Sequence, residues 1–522
     1  MLGACAGRTP APSTSSPPAS TSPSAGITRA PLPPANPRLP QMPSVEGPLR
    51  ISVVYPHENA LIASRDSNFI FGSVGSGTAG LRINGTLVPV WPNGAFMGWV
   101  ANPPADAPAY QLVAYTERDT ARLTYPVRIR QPAPPGPAAP GTADTMIPVP
   151  GAPFAQLRDD SLERTVSDTD RAIIGRPTPT GTYRWFLFPN TWVRVTGYLD
   201  DKARVLLDDA QPIWVDRRDV IVPATFATVR NTTVGAPRLV PAHEWIDVEI
   251  PASTPPAYVV DEEEKSLTVT LYRAAGKCVQ PTIPSGERSI QKITCQTSGS
   301  RIAYRFDLGR PVYGYLALYH DGVMTFRVRR PPVVERAHPL QGQTIVVDPG
   351  HPPGGAIGPT GYAEPEATLA VGLKVRELLE ARGAHVVMTR TDPGPVALGD
   401  RPIMARRADA QALVSVHLNA LPDGMNPFRS HGTGTYYFQT HSRRYATVMQ
   451  QALVRELGLR DLGSFRENFA LVRPTWMPAV LTEGIFIIMP DQEAAIRTPA
   501  YQAAYARGIV DGLEQFFASL AE

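Results

Sequence analysis

Polar and apolar positions alternate along most of the first 330 or so residues, and the period changes near residue 341. From Arg50 to Arg130 the alternation has period two and is rich in β-branched and aromatic residues, the pattern of strands with one buried face. Asn84-Gly85 separates Leu81-Arg82-Ile83 from Leu87-Val88-Pro89-Val90 and can supply the left-handed backbone of a two-residue hairpin turn. A small β-sandwich over 49–130 is predicted. Short aromatic strands follow at Trp185-Phe186-Leu187-Phe188, Trp192-Val193-Arg194-Val195, Arg204-Val205-Leu206-Leu207 and Ile213-Trp214-Val215, predicting a second β domain over 154–222. Longer alternating runs, Ser266 to Tyr272 and Tyr315 to Tyr319, predict a third over 223–335.

Beyond residue 341 strand-like runs alternate with helical ones. Thr344 to Val347, His385 to Thr389 and Ala412 to Val416 read as strands, while Val371, Val375, Leu378 and Leu379 mark one face of a helix that Gly383 would stop. Asp400 is the expected N-cap of the next helix, with Pro402 in its first turn. Between Phe438 and Phe469 there is room for little more than one helix, Ser442 to Leu457, closed by Gly458. Such βα alternation predicts a C-terminal α/β domain with a mostly parallel sheet flanked by helices, preceded by three small all-β domains. Ligands of such sheets gather beyond the carboxyl ends of the strands, where His351, His417 and Glu483 are expected to fall.

Composition changes this picture at the joints. Proline numbers 57 of 522 residues, roughly twice ordinary usage, and is concentrated in 1–48 and 131–153, which predicts extended linkers there. Lys and Arg exceed Asp and Glu by only 3, a near balance that makes no electrostatic case for a nucleic-acid partner, which would need a clustered basic stripe. No run of 18 apolar residues is present to predict a membrane-spanning helix. The string Gly75-Ser76-Gly77-Thr78-Ala79-Gly80 fits a dinucleotide-binding pattern, yet a strand and hairpin follow where the phosphate-cradling helix must begin, and the nucleotide reading is rejected. Cys278 and Cys295 lie in a β-rich segment and predict a disulfide.

Candidate chemistry sits in the C-terminal part. Asp348-Pro349-Gly350-His351 ends the first strand there, Glu364 follows 13 residues later, and Ser415-Val416-His417-Leu418-Asn419 and Glu483 come further on. Two His and one carboxylate can hold Zn²⁺ with a fourth position open to water, and a second carboxylate can move that water's proton. Order and spacing of Thr344 to His351, Gly358 to Glu364, Thr389-Arg390-Thr391-Asp392, Arg401, Ser415 to Ala420, Gly434 to Tyr437 and Pro478 to Glu483 resemble the zinc-dependent N-acetylmuramoyl-L-alanine amidases of the Amidase_3 type, over 341–522. Two segments depart from the family pattern: Pro352-Pro353-Gly354-Gly355 after the first His, and Gly484 to Met489 after the last Glu.

The resemblance implies Zn²⁺ held by His351, Glu364 and His417, with Glu483 as the base for hydrolysis of the amide between N-acetylmuramic acid and the first residue of the peptidoglycan stem peptide. Ser415, Asn419 and Arg401 are candidates for contacting substrate or supporting the ligands; Glu366 is expected only to favour a helix N-terminus. Peptidoglycan is the implied partner and the bacterial cell envelope the implied location. The β regions resemble Ig-like (49–130), SH3-like (154–222) and AMIN-like (223–335) modules. Leu2-Gly3-Ala4-Cys5 resembles a lipobox, which implies either membrane attachment through a lipidated Cys5 or a chance match. Some relatives insert an autoinhibitory helix, for which this chain has no room. A non-catalytic peptidoglycan-binding protein and another zinc stem-peptide hydrolase are the competing readings.

Overall fold

The structure, a computed structural model, describes residues 27–130, 146–158, 172–223 and 231–521. Cys5 and the rest of the lipobox-like string lie outside the described residues. The N-terminal part is strand-rich and the C-terminal part is α/β.

In the first part, Ser52–Tyr55, Ser67–Ser73 and Ala95–Ala101 form one sheet, and Thr86–Val88, Gly80–Ile83, Ala109–Tyr115 and Thr120–Pro126 form another. Asn84 and Gly85 take φ of 48° and 80° and close the hairpin that pairs Ile83 with Thr86. The strand after Gly75-Ser76-Gly77 confirms that no helix is there to cradle a phosphate. Ser67–Ser73 is buried on both faces, because Ile70 packs inside this unit while Phe69 and Phe71 join the core of the α/β part.

Further on, Pro212–Asp216, Lys202–Leu206, Trp192–Leu199, Phe154–Leu157 and Val220–Ile221 lie side by side. Next come two four-stranded sheets, one built on Trp245–Pro251 and Val323–Arg329 and the other on Ser266–Tyr272 and Arg301–Leu308; their facing side chains include Val248, Leu267, Phe306 and Phe326. Cys278 and Cys295 are disulfide-bonded, with their Cα atoms 5.7 Å apart.

The proline-rich joints differ from the expected free linkers where they are described. Arg29 donates to the carbonyls of Gly77 and Val90, Val45 N–H to Pro92 O, and Asn36 Nδ2 to Gly458 O. Ile147–Pro148 pairs with Tyr198 and Gly197 as a strand. Proline removes a donor but keeps its carbonyl, and it costs little chain entropy to order, so such segments can be laid down along other units.

The α/β part comprises β1 (Thr344–Pro349), α1 (Glu364–Glu380), β2 (His385–Met388), α2 (Asp400–Arg407), β3 (Ala412–Asn419), β4 (Thr433–Tyr437), α3 (Arg443–Leu457), β5 (Asp461–Arg466), β6 (Ala479–Phe486), α4 (Pro490–Ile496) and α5 (Pro499–Ala518). Sheet order is β2-β1-β3-β6-β4-β5, parallel throughout except where β4 meets β6. Val371, Val375 and Leu379 are fully buried under α1, and Gly383 and Gly458 take the left-handed conformations that end α1 and α3. Gly399, not Asp400, is the N-cap of α2; Asp400 is already helical and buried. None of the described helices is long and apolar enough to cross a membrane.

Candidate active site

Three backbone devices bring the candidate residues together. At the end of β1 the chain turns at Gly350, and His351 follows with φ of 57°. A Cβ on Gly350 would lie 2.4 Å from His417 Cε1, so glycine is what lets the two imidazoles approach. Their centroids are 4.9 Å apart and nearly perpendicular.

Beneath this turn, the fully buried Asp348 accepts from Thr389 Oγ1 (2.5 Å), Ser415 Oγ (2.6 Å) and Arg401 Nη1 (2.8 Å). Arg401 also donates to the carbonyls of Pro349 and Pro352, and Arg390 to those of Pro349, Gly350 and Pro365. These two guanidinium groups, with Thr368 Oγ1 on Gly350 O, fix the turn through its carbonyls. Ser415 and Arg401 therefore hold the scaffold. Asn419 instead lies beside the Tyr436 hydroxyl.

Glu364 is the first residue of α1 and is 3% exposed. Its Oε1 lies 3.1 Å from His417 Nδ1 and accepts from Leu418 N–H (3.0 Å), while Oε2 lies 3.4 Å from His351 Nε2 and accepts from Ala356 N–H (2.8 Å). The other ring nitrogen of His351 is 2.9 Å from Pro353 O, which aims Nε2 inward. Burial would raise the Glu364 pKa, but the hydrogen bond and charge of His417, with His351 and Leu418 N–H, hold it below the usual range. Burial would lower that of His417, whereas the bond to Glu364 and the charge of Glu483 raise it.

His417 and Glu483 lie inside β3 and β6, not beyond their ends, and face each other as register partners. Both strands run on past the site, to Asn419 and Phe486, because β6 is paired on its other side by β4, with Gly434 opposite Glu483. Burial pushes Glu483 up to about 8, against the pull of His417. Its Oε2 is buried without a hydrogen-bond partner.

Two supporting residues were invisible in the sequence. Glu493, fully buried in the first turn of α4, accepts from Thr360 N–H, Thr360 Oγ1 and Tyr362 N–H and so anchors the loop that delivers Glu364. Tyr505 Oη accepts from Gly484 N–H and donates to His417 O, joining β6 to β3 behind the site. A carboxylate in a first turn reads simply as complementing the helix dipole, and a tyrosine on an apolar face reads as core.

Ligating atoms of His351, Glu364 and His417 all lie within 4.8 Å of one another. Two imidazoles and a carboxylate are a common donor set for Zn²⁺, and the unpartnered Oε2 of Glu483 lies beside them.

The chain is 34% identical over 189 residues to a Staphylococcus epidermidis protein named "Probable cell wall amidase LytH", covering 35% of this chain and 61% of the relative. Its Staphylococcus aureus counterpart is 34% identical over 186 residues, again with 61% of the relative spanned. The crystal structure of an N-acetylmuramoyl-L-alanine amidase from Clostridium difficile 630 is 32% identical, covering 34% of this chain and 97% of that one, with a TM-score of 0.32. Residues 345–515, which carry all four converging side chains, match the family model described as N-acetylmuramoyl-L-alanine amidase.

Proposed function

We propose that this chain is a zinc-dependent N-acetylmuramoyl-L-alanine amidase of the bacterial cell envelope, cleaving the amide between N-acetylmuramic acid and the L-alanine of the stem peptide. The observation that carries the reading is the convergence of His351, Glu364 and His417 beside a buried carboxylate with a free oxygen. His351, Glu364 and His417 would hold the ion, which when bound supplies the Lewis acidity that activates water and polarises the scissile carbonyl. Glu483 takes the proton of the attacking water on Oε2 and delivers it to the leaving amine nitrogen. Arg401, Arg390 and Asp348 keep the His351 turn in place throughout, and Glu493 does the same for the Glu364 loop.

The strand-rich N-terminal part serves, in this reading, as wall-binding modules of Ig-like, SH3-like and AMIN-like type, with membrane attachment through a lipidated Cys5. Acyl labelling of protein expressed with its native upstream sequence tests the last point. Digestion of purified sacculi followed by mass spectrometry tests the activity. Release of intact stem peptides with a free L-alanine amine is expected; shortened peptides would assign a different stem-peptide hydrolase, and no release would leave only a binding protein.

A further inference from the structure

A cavity of about 590 Å³ lies apart from the four converging residues, between the α/β part and the strands that precede it. Its size is that of a small-molecule site. Among the described residues six arginines and two aspartates line it, and Arg184 has a further carboxylate partner in Asp261. Three observations say what it would hold.

First, Arg473, Arg176 and Arg466 are under-compensated. Arg473 bonds only Asn468, through Oδ1 and the main-chain carbonyl, and has no carboxylate partner among the described residues. Arg176 must share Asp216 Oδ1 with Lys202, at 2.9 and 2.7 Å. Arg466, exposed at the rim, donates Nε to Phe438 O and leaves its other nitrogens without a carboxylate. Second, Trp476 lines the same space and its buried indole N–H has no acceptor. The surplus is therefore entirely of donors and positive charge, which an anion with acceptor oxygens satisfies.

Third, two of the aromatic rings there are already covered. Arg473 and Arg176 stand 4.1 and 4.7 Å from the Tyr183 centroid, and Arg406 5.8 Å from that of Trp476. Such stacking closes these two rings to the apolar face of a neutral sugar. Tyr183 and Phe186 of the cavity wall also pack with Tyr436 and Leu481, on β4 and β6, and β6 carries Glu483.

We propose that this cavity binds a free carboxylate of a peptidoglycan stem peptide, as a second, non-catalytic site on the substrate strand. The choice of peptide rests on the amidase reading; the preference for an anion does not. The test uses full-length, zinc-loaded Glu483→Gln, which should bind without turnover, titrated calorimetrically with a soluble stem tetrapeptide. Arg466→Gln is expected to weaken binding about tenfold and Arg466→Lys to restore most of it, with thermal midpoints unchanged. Amidating the peptide carboxyls should cost at least as much, and chitotetraose should not compete.

Affinity unchanged in both Arg466→Gln and Arg473→Gln would overturn the proposal. So would binding that is lost in His351→Ala but retained in Arg466→Gln, since the peptide would then be held at the metal site. Inorganic phosphate that displaces the peptide, together with undiminished binding of the amidated peptide, would assign a phosphate site and also overturn it. If wild-type protein cleaves no sacculi while Arg466-dependent binding persists, the amidase reading fails and the cavity assignment stands.

Discussion

Glu483 and Glu364 are both buried carboxylates beside imidazoles, yet only Glu364 is fully engaged. Its two oxygens meet both histidines and two main-chain N–H groups, whereas Glu483 keeps Oε2 without a partner. Glu483→Gln should keep the zinc content and lower amide cleavage by about 10²- to 10⁴-fold, the usual worth of a positioned acid–base group. Glu364→Ala should lose zinc and activity together. Atomic absorption and stem-peptide release from sacculi check both; normal turnover in Glu483→Gln, or zinc loss like that of Glu364→Ala, would remove Glu483 from its role. Gly350 yields a second outcome at this scale. Alanine there would collide with the His417 ring, so Gly350→Ala is expected to weaken zinc binding by about 10- to 100-fold, read by competition with a chelator.

At the level of elements, the sequence displays residues set in a clean period or a matched motif and hides those whose only signal is a distant partner. β1, α1 and α3 were legible because their periods are clean and Gly383 and Gly458 stop the helices. His351, Glu364, His417 and Glu483 were legible through motif spacing. Glu493 was not, since its partners Thr360 and Tyr362 lie more than 130 residues earlier. Nor was the shared burial of Ser67–Ser73, which needs a second unit on its outer face. Arg401 stands between these cases: its position is a family one, but only the fold shows it joining α2 to Asp348 and to the carbonyls of the His351 turn. Arg401→Lys keeps the charge and loses the fork. A loss of about 2–4 kcal/mol in urea unfolding is expected, because a buried carboxylate and several carbonyls lose donors. A change under about 0.5 kcal/mol would show that the turn holds itself.

On the scale of the whole molecule, the described units are docked on one another. Phe69, Phe71, Trp91 and Met97 complete the core that contains Leu418 and Phe486. Arg329, 2% exposed, reaches from Val323–Arg329 to the carbonyls of Asp409, Ala410 and Trp476. His441 and Glu262 pair across another contact, both nearly inaccessible. The most localised of these joints is Asp423, on the loop that leaves β3 a few residues after His417. Its carboxylate accepts from Tyr55 Oη, from Asn68 Nδ2 (2.9 Å) and from Ala63 N–H (2.9 Å), while Asn68 Oδ1 accepts from Gly424 N–H (3.0 Å). Burial would raise the Asp423 pKa, but the bonds from Ala63 N–H, Tyr55 and Asn68 outweigh it and hold the carboxyl below its ordinary value. A depressed folded-state pKa contributes stability that is complete above the unfolded value of 3.8 and is lost as pH falls through the folded value. Asp423→Ala should therefore cost about 1.5–3 kcal/mol at neutral pH, the range for hydrogen bonds to a charged group, and less below pH 3.8, where the native carboxyl begins to lose its advantage. Urea unfolding of both proteins at neutral and acid pH measures the difference, with proteolysis reporting whether the loop after β3 is released. Equal stability at neutral pH, or a gap that widens on acidification, would mean that Asp423 does not clamp the first β unit to the catalytic one.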